Sequence, residues 1–229
     1  MAREHAFLRE ESLRIPADAS TFDGFRRWAH SPDFPETGRI DYLAGSLEID
    51  MSPEDLHTHG SLKVAIAVAL HAVVEAPDRG EIFVDRARVT SRFAALSVEP
   101  DVVVVLWESL RAGRLRYVPK SSNEPDRYTE IDGPPDVVVE VVSDSSVHKD
   151  TQRLPPIYAR AGVPELWIAH TRDGEMRFAI HALQDSEYNP VERDAAGWFR
   201  SARLGVFVRL QRRKTAVGTW RYTLEHREA

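Results

Sequence analysis

Two stretches of the chain set acids at the mouth of, or inside, runs of valine. One reads Glu99-Pro100-Asp101-Val102-Val103-Val104-Val105, the other Pro135-Asp136-Val137-Val138-Val139-Glu140-Val141-Val142. β-branched runs of this kind suit strands covered on both faces. Strand side chains alternate, so Asp136, Val138, Glu140 and Val142 share a face and Glu140 stands mid-strand between two valines. A buried carboxylate there is costly. It persists when protonated, paired with a base from a neighbouring helix, or bound to a metal. A second acid, Asp101, begins the other valine strand. If the strands are neighbours, Asp101 and Glu140 converge on one cation. Carboxylate sites with open water positions suit Mg²⁺ or Mn²⁺, which activate water and stabilise charge developing on a phosphoryl group.

The elements that must position this pair follow from patterning. Thr21 N-caps a short helix over Phe22 to Trp28. Ile40 to Leu43 and Leu47 to Met51 flank Ala44-Gly45-Ser46 as strand, turn, strand. Ser61 to Ala76 is apolar nearly all round and reads as a largely buried helix. Glu81 to Thr90, Val98 to Trp107 and Asp136 to Val142 read as three strands, with 111–135 a long polar excursion bearing at most one turn of helix. Asp150 to Gly162 is a helix that Pro155 and Pro156 make start late. Glu165 to Ala169 and Met176 to Leu183 form a hairpin, and Phe199 to Leu210 adds a strand. Residues 220–229 read as a frayed tail or, through Trp220, Tyr222 and Leu224, an edge strand. This order predicts an α/β fold with a mixed central sheet, helices on its faces and additional β-hairpin strands. Residues 1–20 read as a lead-in, 21–210 as the domain, and 211–229 as a tail or edge strand.

Composition bounds the function. The chain has 229 residues, enough to bury a core in one domain, and no cysteine, which removes thiolate zinc sites and Cys nucleophiles and suits a reducing cytoplasm. The first residues are charged and lack the apolar segment of a signal peptide, and the longest uncharged apolar run, Val64 to Val74, is too short to span a bilayer. A net charge of −6 lacks the bulk footprint of a non-specific DNA binder, although a basic groove can sit on an acidic protein. Two basic stretches, Arg111, Arg114, Arg116 and Lys120, and Arg209, Arg212, Arg213 and Lys214, read as solvated loop charge. Ser143, Asp144 and Ser145, where the acid-bearing strand exits, read as turn or capping residues.

Five ordered segments carry a resemblance. They are Arg39-Ile40-Asp41-Tyr42-Leu43-Ala44-Gly45, Met51-Ser52-Pro53 with His59 shortly after, Val98-Glu99-Pro100-Asp101, Pro135 to Ser143, and Tyr158 to Ile168. In that order they resemble the Uma-type restriction endonucleases, a bacterial family of the PD-(D/E)XK nuclease superfamily. The resemblance runs from about Thr21 to Leu183. It implies a restriction-endonuclease-like fold with Asp101 and Glu140 as the metal-binding acids. It places Asp41 at an acidic position usually held by Glu, and His59 at a His near the start of the long helix. Each also has an ordinary reading: Asp41 as an exposed strand acid, His59 as a helix-entry residue bonded to backbone. The superfamily Lys two residues after Glu140 is absent, since Val142 stands there. The family's alternative Lys, four residues beyond the position of Asp150, is Leu154. Lys149 is the preferred substitute, with Arg153 able to stabilise charge and Gln152 only to orient water.

The resemblance implies a Mg²⁺- or Mn²⁺-dependent endonuclease hydrolysing phosphodiester bonds in DNA, working in the cytoplasm. Two rivals stand beside it: a catalytically inactive nuclease-fold module that binds nucleic acid or protein, and a metal-dependent hydrolase of another phosphate substrate. Superfamily members often act as dimers, and an apolar edge strand such as Phe199 to Leu210 could mediate a homodimer.

Overall fold

A computed structural model describes residues 13–122 and 124–229; residues 1–12 of the expected lead-in lie outside the described residues. Four α-helices are α1 (Phe22–Ala29), α2 (Ser61–Leu70), α3 (Trp107–Arg111) and α4 (Leu154–Ala161). Fifteen strands run β1 (Arg39–Leu43), β2 (Ser46–Asp50), β3 (Gly80–Val84), β4 (Arg88–Ser91), β5 (Leu96–Val98), β6 (Val102–Leu106), β7 (Arg116–Pro119), β8 (Tyr128–Asp132), β9 (Val137–Val141), β10 (Glu165–His170), β11 (Arg177–Gln184), β12 (Glu187–Pro190), β13 (Phe199–Ser201), β14 (Val206–Lys214) and β15 (Trp220–Glu228). Among the described residues no helix is long and apolar enough to cross a membrane.

The central sheet has the order β12-β11-β10-β9-β6-β3. It is mixed: β9 and β10 are parallel, while β6 runs antiparallel to β9 and β11 to β10. Its two faces follow the valine parity. Val102, Val104, Val137, Val139 and Val141 face α2 and a three-stranded sheet, β13-β14-β15. Val138 and Leu166 face α4 and a second six-stranded sheet, β2-β1-β5-β4-β8-β7, while Val103 and Val105 pack on Val89 and Ile131 of that sheet. Burying each such side chain stabilises the fold by roughly 1.5–3 kcal/mol. α1 then seals the outside of β1 through Phe25, Trp28 and Tyr42.

The fold is the expected mixed α/β arrangement, but a second large sheet covers much of the face expected to carry helices. Several expected elements are also divided. The strand read over Glu81 to Thr90 breaks into β3 and β4 because Asp85 and Arg86 adopt φ of 58° and 52°, a left-handed corner that Asp tolerates. The strand read over Val98 to Trp107 breaks at Pro100, whose missing N–H cannot join a ladder. The polar excursion over 111–135 contains β7 and β8, which pair with each other and, through β8, with β4. The helix over Ser61 to Ala76 is found, yet Val64 and Val68 are exposed, so it is buried on one side rather than nearly all round. Phe199 to Leu210 is not one apolar edge strand: β14 is the middle strand of its sheet and turns Val206, Val208 and Leu210 into the core. Residues 211–229 complete β14 and form β15, so a boundary at 210 falls inside a strand.

Candidate metal centre and active site

β6 and β9 are antiparallel neighbours paired Val102 with Val139, Val103 with Val138 and Val104 with Val137. One step further along this register, Asp101 faces Glu140. The Pro-Asp resemblance between the two segments has a structural cause in the same register. Asp101 Oδ2 accepts the amide of Val141 at 2.7 Å, and Asp136 Oδ2 accepts the amide of Leu106 at 2.7 Å. Each aspartate, placed just before its own strand, caps the end of the other. The two ends then diverge. Asp136 is closed by Ser109, Arg114 and Arg203, each at 2.6 Å from Oδ1, which makes it a structural anchor. Asp101, itself buried, lies behind Arg39 and His59, which line a cleft.

Three basic groups surround Asp101. Arg39 Nη2 donates to its Oδ1 at 2.9 Å, His59 Nε2 lies 3.5 Å from Oδ2, and Lys63 Nζ lies 3.7 Å from Oδ1. Burial alone pushes the Asp101 carboxyl up, but His59, Arg39 and Lys63 together hold it well below the ordinary range. The same contacts act in reverse on the bases. Burial works against the charged forms of Arg39, Lys63 and His59, but the acids around each, Asp101 foremost among them, together outweigh it, so all three are raised.

Glu140 lies in a different setting. Its carboxyl is buried among valines, and the hydroxyl of Tyr158, from α4, donates to Oε1 at 2.6 Å. Burial pushes it well above the ordinary carboxylate range, and the neighbouring Asp150 and Asp101 add to this. The expected base from a neighbouring helix is here a neutral phenol. Asp150, also buried, is pushed up to about 6, first by burial, with Lys149 partly offsetting. Its Oδ1 has no hydrogen-bond partner among the described residues, and neither has His59 Nδ1.

Lys149 Nζ reaches Asp41 Oδ2 at 3.3 Å and lies 3.9 Å from Asp150 Oδ1. Its ammonium is opposed by burial but favoured more strongly by Asp41, Asp150 and Glu140, which raises it. Asp41 is buried, not an exposed strand acid, and its Oδ1 accepts the amide of Glu99 at 3.0 Å. His59 sits at the entry to α2 with both acids Glu54 and Asp101 beside it, rather than on backbone. Arg153 is not brought to the centre; it pairs with Glu48 on β2, half-buried at the rim. Ser143 and Ser146 close a turn, Ser143 N donating to Ser146 Oγ at 3.0 Å, and both line the cleft with Arg39, Glu54 and Asp85.

Val142 and Leu154, which stand where a catalytic Lys is absent, are both buried apolar residues. The structure adds three charged residues to the sequence-derived set: Arg39, Glu54 and Lys63. Two of them carried a hint in the sequence, though not their placement, and Glu54 carried none. Arg39 shares the β1 face of Asp41 by parity, and Lys63 is the only Lys in an otherwise apolar helix. Lys63 is drawn in by Glu54 at 2.8 Å and Asp85 at 2.5 Å, the latter presented by the left-handed corner after β3.

The donor set fits a divalent cation. Ligand atoms of Glu54, His59 and Asp101 lie within 4.8 Å of one another. On the other side of Asp101, Glu140 and Asp150 form a buried acidic pair whose raised carboxyls and unbonded oxygen lack a full positive complement. A family model described as Uma2, "Putative restriction endonuclease", matches residues 22–211. The chain belongs to the Uma2 family. A crystal structure titled as a putative nuclease belonging to DUF820 from Anabaena variabilis superposes with a TM-score of 0.56 at 17% identity, covering 80% of this chain and 90% of that one. That likeness shows a shared fold. Among curated proteins none matches.

Proposed function

We propose that this Uma2 protein is a metal-dependent endonuclease that hydrolyses phosphodiester bonds in DNA. The observation that carries the reading is the register of β6 and β9, which sets Asp101 opposite Glu140 at the end of a buried strand pair beside an open cleft. Asp101 and Glu140 would hold Mg²⁺ or Mn²⁺; Glu54 and His59 share a donor group with Asp101, and Asp150 neighbours Glu140. Such an ion supplies Lewis acidity and an activated water. Arg39 and Lys63 keep Asp101 ionised and aimed by hydrogen bonding and charge. Tyr158 fixes the Glu140 carboxyl from behind. Lys149, held charged between Asp41 and Asp150, orients the attacking water as a donor, in place of the Lys missing at Val142 and Leu154. His59, buried beside Asp101, is positioned to donate toward a leaving oxygen. Plasmid nicking with Mg²⁺ or Mn²⁺ tests this: the wild type is expected to nick, and Asp101→Ala and Glu140→Ala to fail. Equal cleavage by all three would sink the assignment.

A second reading has one observation in its favour. Val142 and Leu154 are packed into the core, so neither position can recover a Lys by local motion. If calorimetry detects no binding of Mg²⁺ or Mn²⁺ at millimolar concentration, the chain is an inactive nuclease-fold module that binds nucleic acid or protein.

A further inference from the structure

Residues 197–229 carry eight Lys and Arg against two Glu, a local balance of +6 in a chain whose total is −6. The three-stranded sheet sorts these charges by parity. Val206, Val208, Leu210, Tyr222 and Leu224 are buried in the core. Phe207, Arg209, Gln211 and Arg213 therefore point outward, opposite Arg227, Glu225, Thr223 and Arg221. Arg200 of β13 lies beside Phe207 on the same face. Five arginines and a single acid, Glu225, thus occupy one exposed sheet face.

Two features of this face point to a polyanion. Arg213 and Arg221 stand directly opposite each other, and like charges in a cross-strand pair destabilise a sheet. Neither of them, nor Arg200, has an acidic partner among the described residues. On the same face Arg209 pairs with Glu225 and Arg227 with Asp194, and in the other basic stretch Arg114 pairs with Asp136 and Arg116 with Asp132. The second feature is the treatment of the aromatic rings. Arg209 and Arg227 both stack on Trp198 at 4.6 Å, and Arg227 also lies over Phe207 at 5.0 Å. The rings hold the cations in place and are no longer open as stacking platforms for unpaired bases. A firm, flat, arginine-bearing face without free aromatic rings suits the phosphates of a duplex.

The face also has a route to the acids. Arg221 and Thr223, on this face, border a groove that also takes in Leu56 and His57, His57 being two residues before His59. Arg213, Arg221 and Arg227 lie beyond residue 211, where the family match ends, so this face belongs to the chain's own C-terminal strand pair.

We propose that the outward face of β13, β14 and β15 is a docking surface for the phosphate backbone of duplex DNA, holding it beside the acid site. The proposal takes its direction from the nuclease reading, but binding is measurable without cleavage. Anisotropy of a short labelled DNA duplex, in EDTA, would compare the wild type with Arg213→Glu, with Arg213→Glu/Arg221→Glu, and with Lys120→Glu on the far sheet. The double reversal is expected to weaken binding by about tenfold or more and to flatten the salt dependence by about two units of slope. Arg213→Glu alone turns a repulsive cross-strand pair into an attractive one, so it is expected to keep or raise the Tm while still weakening binding. Lys120→Glu is expected to bind as wild type. Absent duplex binding by the wild type, tighter binding of the matching single strand or of RNA, or equal losses in the Lys120 variant would overturn the proposal. Nicking that persists while duplex binding ignores the arginines refutes docking and leaves the nuclease reading standing. Arginine-dependent binding without nicking does the reverse.

Discussion

Asp101 and Glu140 are both buried carboxylates, facing each other across a strand pair, yet they behave as opposites. Asp101 has more positive partners than it needs, and Glu140 has a phenol and two acidic neighbours. That asymmetry makes Glu140 the costly member of the metal-free protein. Replacing it with Gln keeps an oxygen for the Tyr158 hydroxyl and removes the charge. Glu140→Gln is therefore expected to raise the Tm in EDTA by about 4 °C, from a gain of order 1–2 kcal/mol. In Mg²⁺ the order should reverse, because the wild type gains binding free energy, about 2.7 kcal/mol at a hundredfold excess over Kd, and the variant does not. A variant that melts below wild type in EDTA would contradict this account of Glu140. The two lysines separate in the same way. Lys63 holds three acids together at the cleft wall, and Lys149 stands nearer Glu140. Lys63→Met should lower the Tm, since it removes the cation that ties Glu54 and Asp85 to the cleft wall. Lys149→Met should lower kcat at least tenfold while leaving Mg²⁺ affinity, read by calorimetry, within about threefold.

At the scale of elements, the acid pair was legible because strand parity is local: the Pro-Asp-valine pattern states which residues share a face, and β6 and β9 are the neighbours that the pattern needs. The corner at Asp85 and Arg86 and the break at Pro100 are equally local, but they lie inside runs whose alternation reads as continuous. Arg39, Glu54 and Lys63 depend on which elements meet, and no spacing rule places α2 beside the β3 corner. β7 and β8 escaped because most of their residues are polar; Ile131 and Tyr117 join the cluster of Val103 and Val105, and an ion network adds to that packing. Its hub is Glu130 on β8, buried beneath Arg26 and His30 of the α1 end at the level of 2.8 Å for the histidine. Burial pushes the Glu130 carboxyl up, and His30 and Arg26 more than offset it, so its folded value lies below the ordinary 4.5. A depressed carboxyl contributes stability above its ordinary value and loses it as pH falls through the folded value. Glu130→Gln is expected to cost about 2 kcal/mol at pH 7 and to flatten the decline in urea stability below pH 4.5. An unchanged acid limb would show that α1 is anchored by its aromatic face alone.

For the whole molecule, the question is whether the C-terminal strand pair is an ornament on the family fold or part of its core. The family match ends at residue 211, yet β15 packs along α2, and Tyr222 and Leu224 are buried in the cluster that also holds Leu62, Ile66 and the inner valines of β6 and β9. α2 carries His59 at its entry and Lys63 in its first turn. The strand that adds the arginine face is therefore the one that braces the helix bearing two residues of the acid site. Truncation after Lys214 would strip β14 of its ladder to β15, leaving only the short pairing with β13, and uncover the side of α2 that Tyr222 and Leu224 cover. Removing two buried side chains of this size costs roughly 3–6 kcal/mol by area alone, a large share of the roughly 5–15 kcal/mol that folded domains possess. The truncated chain is expected to unfold at markedly lower urea and to lose Mg²⁺ affinity together with stability. Substituting Leu224→Ala in the full chain isolates the packing, at about 2–5 kcal/mol, with every arginine retained. If that variant loses stability but keeps its affinity for duplex DNA, bracing and docking are separate tasks of one strand pair; if affinity falls in step, the arginine face works only while α2 is held against the central sheet.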